Sequence, residues 1–232
     1  MGIRQFFIDV KLNMMFVLKW MGIALVLGSI CGIVGAAFHL SVDYVTQFRV
    51  HHDWIVYCLP IGGILIVYLY HSVKLDHDPG TNTIIQSVRQ QDKVPVLLAP
   101  AIFLATVITH LVGGSSGREG AALQIGGSIA TGIGRLLHFD KREMSILIMC
   151  GMSAVFSALF GTPITATLFA MEVVSVGIFY YAAFVPCLCS SFVSIYIARF
   201  FGCQSVAYHI AQTLNVTPLV FVKLVLFTCV IA

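Results

Sequence analysis

The sequence predicts an all-α fold, a polytopic membrane bundle in which some helices are broken and one segment is re-entrant. Three observations carry that expectation. Of 232 residues, 59% are hydrophobic before 20 glycines are counted and only 10% are charged, against about a quarter charged in an ordinary soluble domain. Stretches free of Asp, Glu, Lys and Arg run over 20–42, 54–73, 94–117, 120–134, 145–171, 173–198 and 200–222, most of them long enough for the ~20 residues that cross a bilayer. Two of these stretches meet or contain helix-breaking clusters, at Gly113–Gly120 and at Gly161-Thr162-Pro163. Together they exclude a soluble globular domain, a disordered chain and a nucleic-acid binder. The lipid bilayer is the expected surrounding, and the formal net charge of +3 matters through its placement in short loops.

Each element can be justified in order. Arg4, Lys11 and Lys19 precede the first apolar run, which is too long and too charged at its start for a cleaved signal, so the first span is expected to stay. Only Arg49 lies in 43–53, whereas Lys74, Arg89 and Lys93 lie in 74–93 and Arg135, Lys141 and Arg142 in 135–142. The positive-inside bias then places the N-terminus, 74–93 and 135–142 in the cytoplasm and 43–53 outside. Both loops flanking 94–134 fall on one side, so that segment must enter and return, turning near Gly113–Gly120 at membrane depth. Gly161-Thr162-Pro163 divides the next run into helices of roughly 144–160 and 163–176, with Thr162 as N-cap and Pro163 as first helical residue. Gly28 with Gly32, and Gly151 with Ser157 and Gly161, are small residues at helical spacing that let helix backbones approach. The seven cysteines show no C-x-x-C spacing and read as small packing residues. From Val216 a further apolar run, punctuated by Lys223, continues to Ala232. That pattern leads to the expectation of one membrane domain over 1–232 that is a fragment or half-protein.

The chemistry concentrates in Gly113–Gly127, which reads GGSSGREGAALQIGG. A glycine-rich stretch opening a helix leaves backbone N–H groups free at the helix N-terminus, where the dipole favours an anion. Gly117, Arg118, Gly120, Ala121 and Ala122 are the candidate anion-binding positions. Glu119 lies at the same place, and a carboxylate there can occupy the anion site and leave it on protonation. It is therefore the candidate gate and proton carrier, set against the plainer reading of a buried structural pair between Arg118 and Glu119. A second candidate is Asp78-Pro79-Gly80-Thr81-Asn82-Thr83, in which Pro-Gly makes a turn and Thr81 or Asn82 caps a short helix running to about Gln91. Thr81, Asn82 and Thr83 would face an anion with N–H groups and a hydroxyl. Asp76-His77-Asp78 with His71, and His51-His52-Asp53, read as solvated hairpins in preference to metal sites. His39 and His110 lie in spans, where they can bond to neighbouring helices. No metal or cofactor is called for.

Gly117-Arg118-Glu119-Gly120, following a Gly/Ser run and preceding Ile125-Gly126-Gly127, resembles the filter-and-gate motif of the CLC family of chloride channels and proton-coupled anion antiporters. Ala154 to Pro163, leading to Leu168-Phe169-Ala170-Met171-Glu172, resembles the helix pair that follows it in that family. Order and spacing agree over roughly 75 to 180. The resemblance implies a CLC-like first inverted repeat, a homodimer with one anion path per subunit, chloride or another halide and protons as the transported ions, Glu119 as the gating glutamate, and the cell membrane as location. It also marks departures. Ala121 stands where chloride members usually have proline. Gly80-Thr81-Asn82-Thr83-Ile84 stands where they have Gly-Ser-Gly-Ile-Pro, and is similar to the Gly-Asn-rich version of the bacterial fluoride/proton branch. Val173 stands where many exchangers have an inner glutamate, and the family's second half is absent from these 232 residues.

Two other classes compete. Gly114-Ser115-Ser116-Gly117 fits the Gly-x-Ser-Gly pattern of rhomboid intramembrane serine proteases, with Ser116 as nucleophile and His209 as nominal base. The third possibility is a non-transporting half-protein that needs a partner chain.

Overall fold

The computed structural model describes residues 3–76, 78–90, 94–174, 180–203 and 217–231. Helix follows helix throughout: α1 (Ile3–Val50), a 3₁₀ turn (Asp53–Cys58), α2 (Leu59–Ser72), α3 (Thr81–Gln90), α4 (Leu98–Leu111), α5 (Arg118–Leu136), α6 (Lys141–Phe160), α7 (Pro163–Glu172), α8 (Tyr181–Phe200) and α9 (Pro218–Ile231). No strand occurs among the described residues. Four stretches, Met14–Val50, Asp53–Ser72, Lys141–Phe160 and Tyr181–Phe200, are long and apolar enough to cross a membrane. The bundle is thus the polytopic α-helical membrane fold that composition predicts.

The element boundaries carry three corrections. The segment 43–53 is not a loop: α1 runs unbroken to Val50, so Asp43 and Arg49 are helical. No Gly or Pro lies between Ala36 and Val50 to stop the helix, and the charge at Asp43 is compensated by partners from within the fold. The second correction concerns α6, which starts at Lys141 because Asp140 caps it, accepting from the Glu143 N–H at 2.8 Å. The third is at the break after α6. Gly161 closes α6 in the left-handed region (φ 71°), its N–H bonding to Ser157 O, and Pro163 opens α7. Thr162 stands at the N-cap but makes no side-chain capping bond.

Small residues set the packing. A Cβ on Gly28 would lie 2.7 Å from Ser190 O and one on Gly32 2.9 Å from Ser194 O, so α1 and α8 cross backbone to backbone. The crossing of α5 and α6 is tighter, because a Cβ on Gly126 would lie 2.1 Å from Gly151 O. Serines tie α6 to α8: Ser194 Oγ donates to Ala154 O at 2.7 Å, Ser157 Oγ to Ser191 O at 2.9 Å and Ser190 Oγ to Cys150 O at 3.1 Å. These bonds satisfy hydroxyls that would otherwise be stranded in a dry interior. Gly28, Gly32 and Gly151 therefore face neighbouring helices of the same chain. Trp20, Leu27, Phe38, Leu147, Ile148 and Met152 fill the space between, while α9 buries none of its residues. Cys31, Cys150 and Cys187 are buried and free, as packing residues.

One ion pair fixes the two ends of the bundle. Lys19 of α1 pairs with Glu143 of α6, which puts the charged start of the first span level with the 135–142 loop, as the basic-loop pattern predicts. Asp43 lies about 36 Å further along α1 at 1.5 Å per residue, and it marks the opposite end.

Candidate functional site

The turn between α4 and α5 lies at that opposite end. Gly113 takes φ 85°, a conformation that favours glycine. A Cβ there would sit 3.1 Å from Val56 Cγ2 and 3.5 Å from Arg49 Cδ. The turn therefore packs against the end of α1 and the 3₁₀ segment, at the end of the bundle marked by Asp43. The reason is length, since the 19 residues of α5 alone cover about 28 Å.

Helix α5 begins with an extended N-cap, Gly117 (φ −70°, ψ 142°), which makes no side-chain capping bond. In an α-helix the N–H groups from the N-cap to the third residue have no intrahelical acceptor. Here they belong to Gly117, Arg118, Glu119 and Gly120. Ala121 and Ala122 were also candidates, but helix geometry commits their N–H groups to Gly117 and Arg118 carbonyls, and their side chains are buried. Glu119 is exposed and folds back over this N-terminus: its Oε2 lies 2.7 Å from where a Cβ on Gly117 would be. Among the described residues it has no ion-pair partner.

The second candidate segment comes to the same place. Thr81 is the first residue of α3, so neither it nor Asn82 is the cap. Asp78 instead holds the turn that leads into α3: its Oδ2 accepts from the Gly80 N–H at 3.2 Å and its Oδ1 from the Thr83 hydroxyl. Thr83 thus has its proton committed, and Asn82 is exposed. Thr81 points at α5. Its Oγ1 lies 2.9 Å from the position of a Cβ on Gly120, and Gln124 Nε2 lies 3.4 Å from the same oxygen. Two helix N-termini, read from the sequence as separate candidates, are juxtaposed across Gly120.

Arg118 does not pair with Glu119. Its Nη1 lies 3.2 Å from Asp43 Oδ1 on α1, and His39 Nε2 lies 3.2 Å from the other oxygen of that carboxylate. This removes the plainer reading of an Arg118–Glu119 structural pair, and it leaves Arg118 offering a backbone N–H, with its guanidinium engaged elsewhere. His39 therefore bonds within its own helix, as does His110, whose Nδ1 is 2.9 Å from Thr106 O. Elsewhere His71 pairs with Asp76, and His51 and His52 bond back to Gln47 O and Phe48 O. His77 lies outside the described residues.

Chemically, the arrangement offers unpaired N–H donors, one hydroxyl and an exposed carboxylate. Among the described residues it offers no activated nucleophile at Ser116. Ser116 Oγ is 3.5 Å from His110 Nδ1, but that nitrogen already donates its proton to Thr106 O and so cannot act as a base there. His209, the nominal base, lies outside the described residues. Sequence reasoning missed Asp43, although the His39–Asp43 spacing of one helical turn was a signal for it; Asp78 and Gln124 lay within the two candidate segments, but their partners needed the fold.

Comparison with known proteins completes the picture. The family model for the voltage gated chloride channel matches residues 62–232. A chloride/fluoride channel protein from Pseudomonas syringae pv. tomato is 33% identical over 202 residues, covering 87% of this chain and 45% of that protein. The chloride channel protein CLC-e of Arabidopsis thaliana is 30% identical over 136 residues, 57% of this chain and 18% of that one. Among solved structures, a CLC-type fluoride/proton antiporter matches with TM-score 0.82 and 33% identity over 92% of this chain and 54% of its own. A slow cyanobacterial Cl⁻/H⁺ antiporter shares the fold at TM-score 0.67 and 22% identity, over 81% and 48% of the two chains. The chain spans about half the length of the bacterial relative and of either solved structure.

Proposed function

The chain belongs to the voltage-gated chloride channel (CLC) family, and we propose that it supplies the first inverted repeat of a transmembrane anion pathway gated by Glu119. The observation that carries this reading is the convergence of α3 and α5 at Thr81 and Gly120, beneath a glutamate without an ion-pair partner among the described residues. Backbone N–H groups of Gly117, Arg118, Glu119 and Gly120, with those of Thr81 and Asn82, are ligands of a kind that can replace part of an anion's water shell. Glu119, ionised, competes for the same donors. Protonated, it withdraws, and the anion enters. One residue thereby couples a proton to an anion, and the function is transport in place of catalysis.

Fluoride is the anion we favour, with chloride as the comparison. The likeness to a fluoride/proton antiporter and to a chloride/fluoride channel protein supports this, as does Thr81-Asn82 at the start of α3. On this reading the chain works in the cell membrane as a homodimer, with 43–58 and the 113–120 turn facing outward and 135–142 in the cytoplasm. Gly28 and Gly32 are occupied within the chain, so the dimer must use other faces. These 232 residues provide one side of the anion's surroundings. The other side comes from a second repeat of the kind that the relatives' greater length accommodates. Proton-coupled efflux of fluoride and chloride from liposomes, with Glu119→Gln beside the unmodified chain, tests the assignment.

A further inference from the structure

Gln124 is a buried amide that the pathway as described does not use. It is only 5% exposed, sits on α5 little more than one turn beyond Glu119, and makes one described side-chain bond, from its Nε2 to Thr81 Oγ1 at 3.4 Å. Its Oε1 is buried and has no hydrogen-bond partner among the described residues. A buried unpaired acceptor is unfavourable, and native structures rarely keep one without a reason. Turning the amide over would give Oε1 the Thr81 proton to accept, but it would also commit that proton.

We propose that Gln124 is a positioning residue for anion selectivity and affinity: by donating to Thr81 Oγ1 it engages a lone pair of the hydroxyl and so keeps the Thr81 proton available to the anion at the α3 N-terminus. The observed orientation makes Thr81 a donor, whereas the reversed one would make it inert toward an anion. The bond is long for an N–H···O contact. An anion drawing on the Thr81 proton would make Oγ1 a better acceptor and strengthen the Gln124 bond in turn. The two residues form a relay of two donors pointing the same way, from α5 through α3 to the ion. Gly120 belongs to the same device, because the absence of a Cβ there is what lets Thr81 Oγ1 lie against α5.

The inference rests on the proposed anion site, and a double-mutant cycle separates the two. Fluoride and chloride flux are measured against anion concentration in liposomes containing this chain together with the second half of the fluoride/proton antiporter it resembles. Gln124→Met, close in shape and without an amide, is compared with Thr81→Val and with the double variant. The expected result is that Gln124→Met raises the half-saturating anion concentration about tenfold, the scale of one donor to a charged partner, with maximal flux little changed. In the Thr81→Val background it has no further effect. Gln124→Asn, which keeps the amide but withdraws it by one methylene, should show the same dependence on Thr81 and serves if Gln124→Met does not fold. Equal effects of the Gln124 variants with and without the Thr81 hydroxyl would overturn the relay and leave the site intact. Undiminished affinity in Thr81→Val alone would overturn the site, and the relay with it.

Discussion

Arg118 Nη1 and Asp43 Oδ1 lie 3.2 Å apart, joining the first turn of α5 to the far end of α1. Because His39 Nε2 holds the other oxygen of the same carboxylate at 3.2 Å, Asp43 turns the guanidinium away from Glu119, which has no ion-pair partner among the described residues. The consequence is mechanical and electrostatic at once, since the α5 N-terminus is anchored while its carboxylate takes no ion-pair partner among the described residues.

Asp43→Asn should therefore loosen the anchor at modest thermodynamic cost. The Arg118 side chain is 26% exposed and that of Asp43 42%, so the pair contributes no more than about 1 kcal/mol. A thermal midpoint in detergent should fall by only a few degrees. Flux should respond more than stability, because Arg118 is then released beside Glu119. A double variant with Arg118→Gln should lose no more stability than either single change, and full additivity would count against the pair.

Gly120→Val should impair transport more than folding. A Cβ at this position lies 2.9 Å from Thr81 Oγ1, so the branched side chain pushes α3 away from α5 and covers N–H groups of the proposed anion site. A well-folded Gly120→Val protein with full fluoride and chloride flux would show that the two helix starts do not form one site.

Gly126→Ala should fail in the opposite way, through the fold. The added Cβ would meet Gly151 O at 2.1 Å, backbone against backbone, and overpacking of this kind costs typically 1–3 kcal/mol or more. Gly22→Ala is the control, because nothing lies within 4 Å of a Cβ there. Folded yield by size exclusion should drop sharply for the first and not for the second.

Much of this was legible in the sequence, and the reasons for the misses are physical. The return of 94–134, the helix break at Gly161-Thr162-Pro163 and the helix starts near Thr81 and Glu119 follow from local chemistry: glycine, proline and charge punctuating apolar runs. What could not be read was the course of α1 past Asp43. A charge in an apolar helix looks like an end until its partner, Arg118, is brought alongside from 75 positions away. The register of the α3 start was similarly hidden, because Asp78, Thr81 and Asn82 all favour helix starts and only the folded turn, held by Asp78, decides among them. Gln124 lay within the motif, yet its partner is Thr81, which only the packing of α3 on α5 supplies.

The central claim is that Glu119 competes with an anion for the donors at the α5 N-terminus and carries a proton when it leaves. Liposomes loaded with fluoride or chloride, bearing this chain with the second half of the fluoride/proton antiporter it resembles, allow anion efflux and proton movement to be read together. Coupled movement is expected for the unmodified chain with that second half, none for residues 1–232 alone, and for Glu119→Gln an altered anion flux with proton movement lost. Unaltered, proton-coupled flux in Glu119→Gln would contradict the claim.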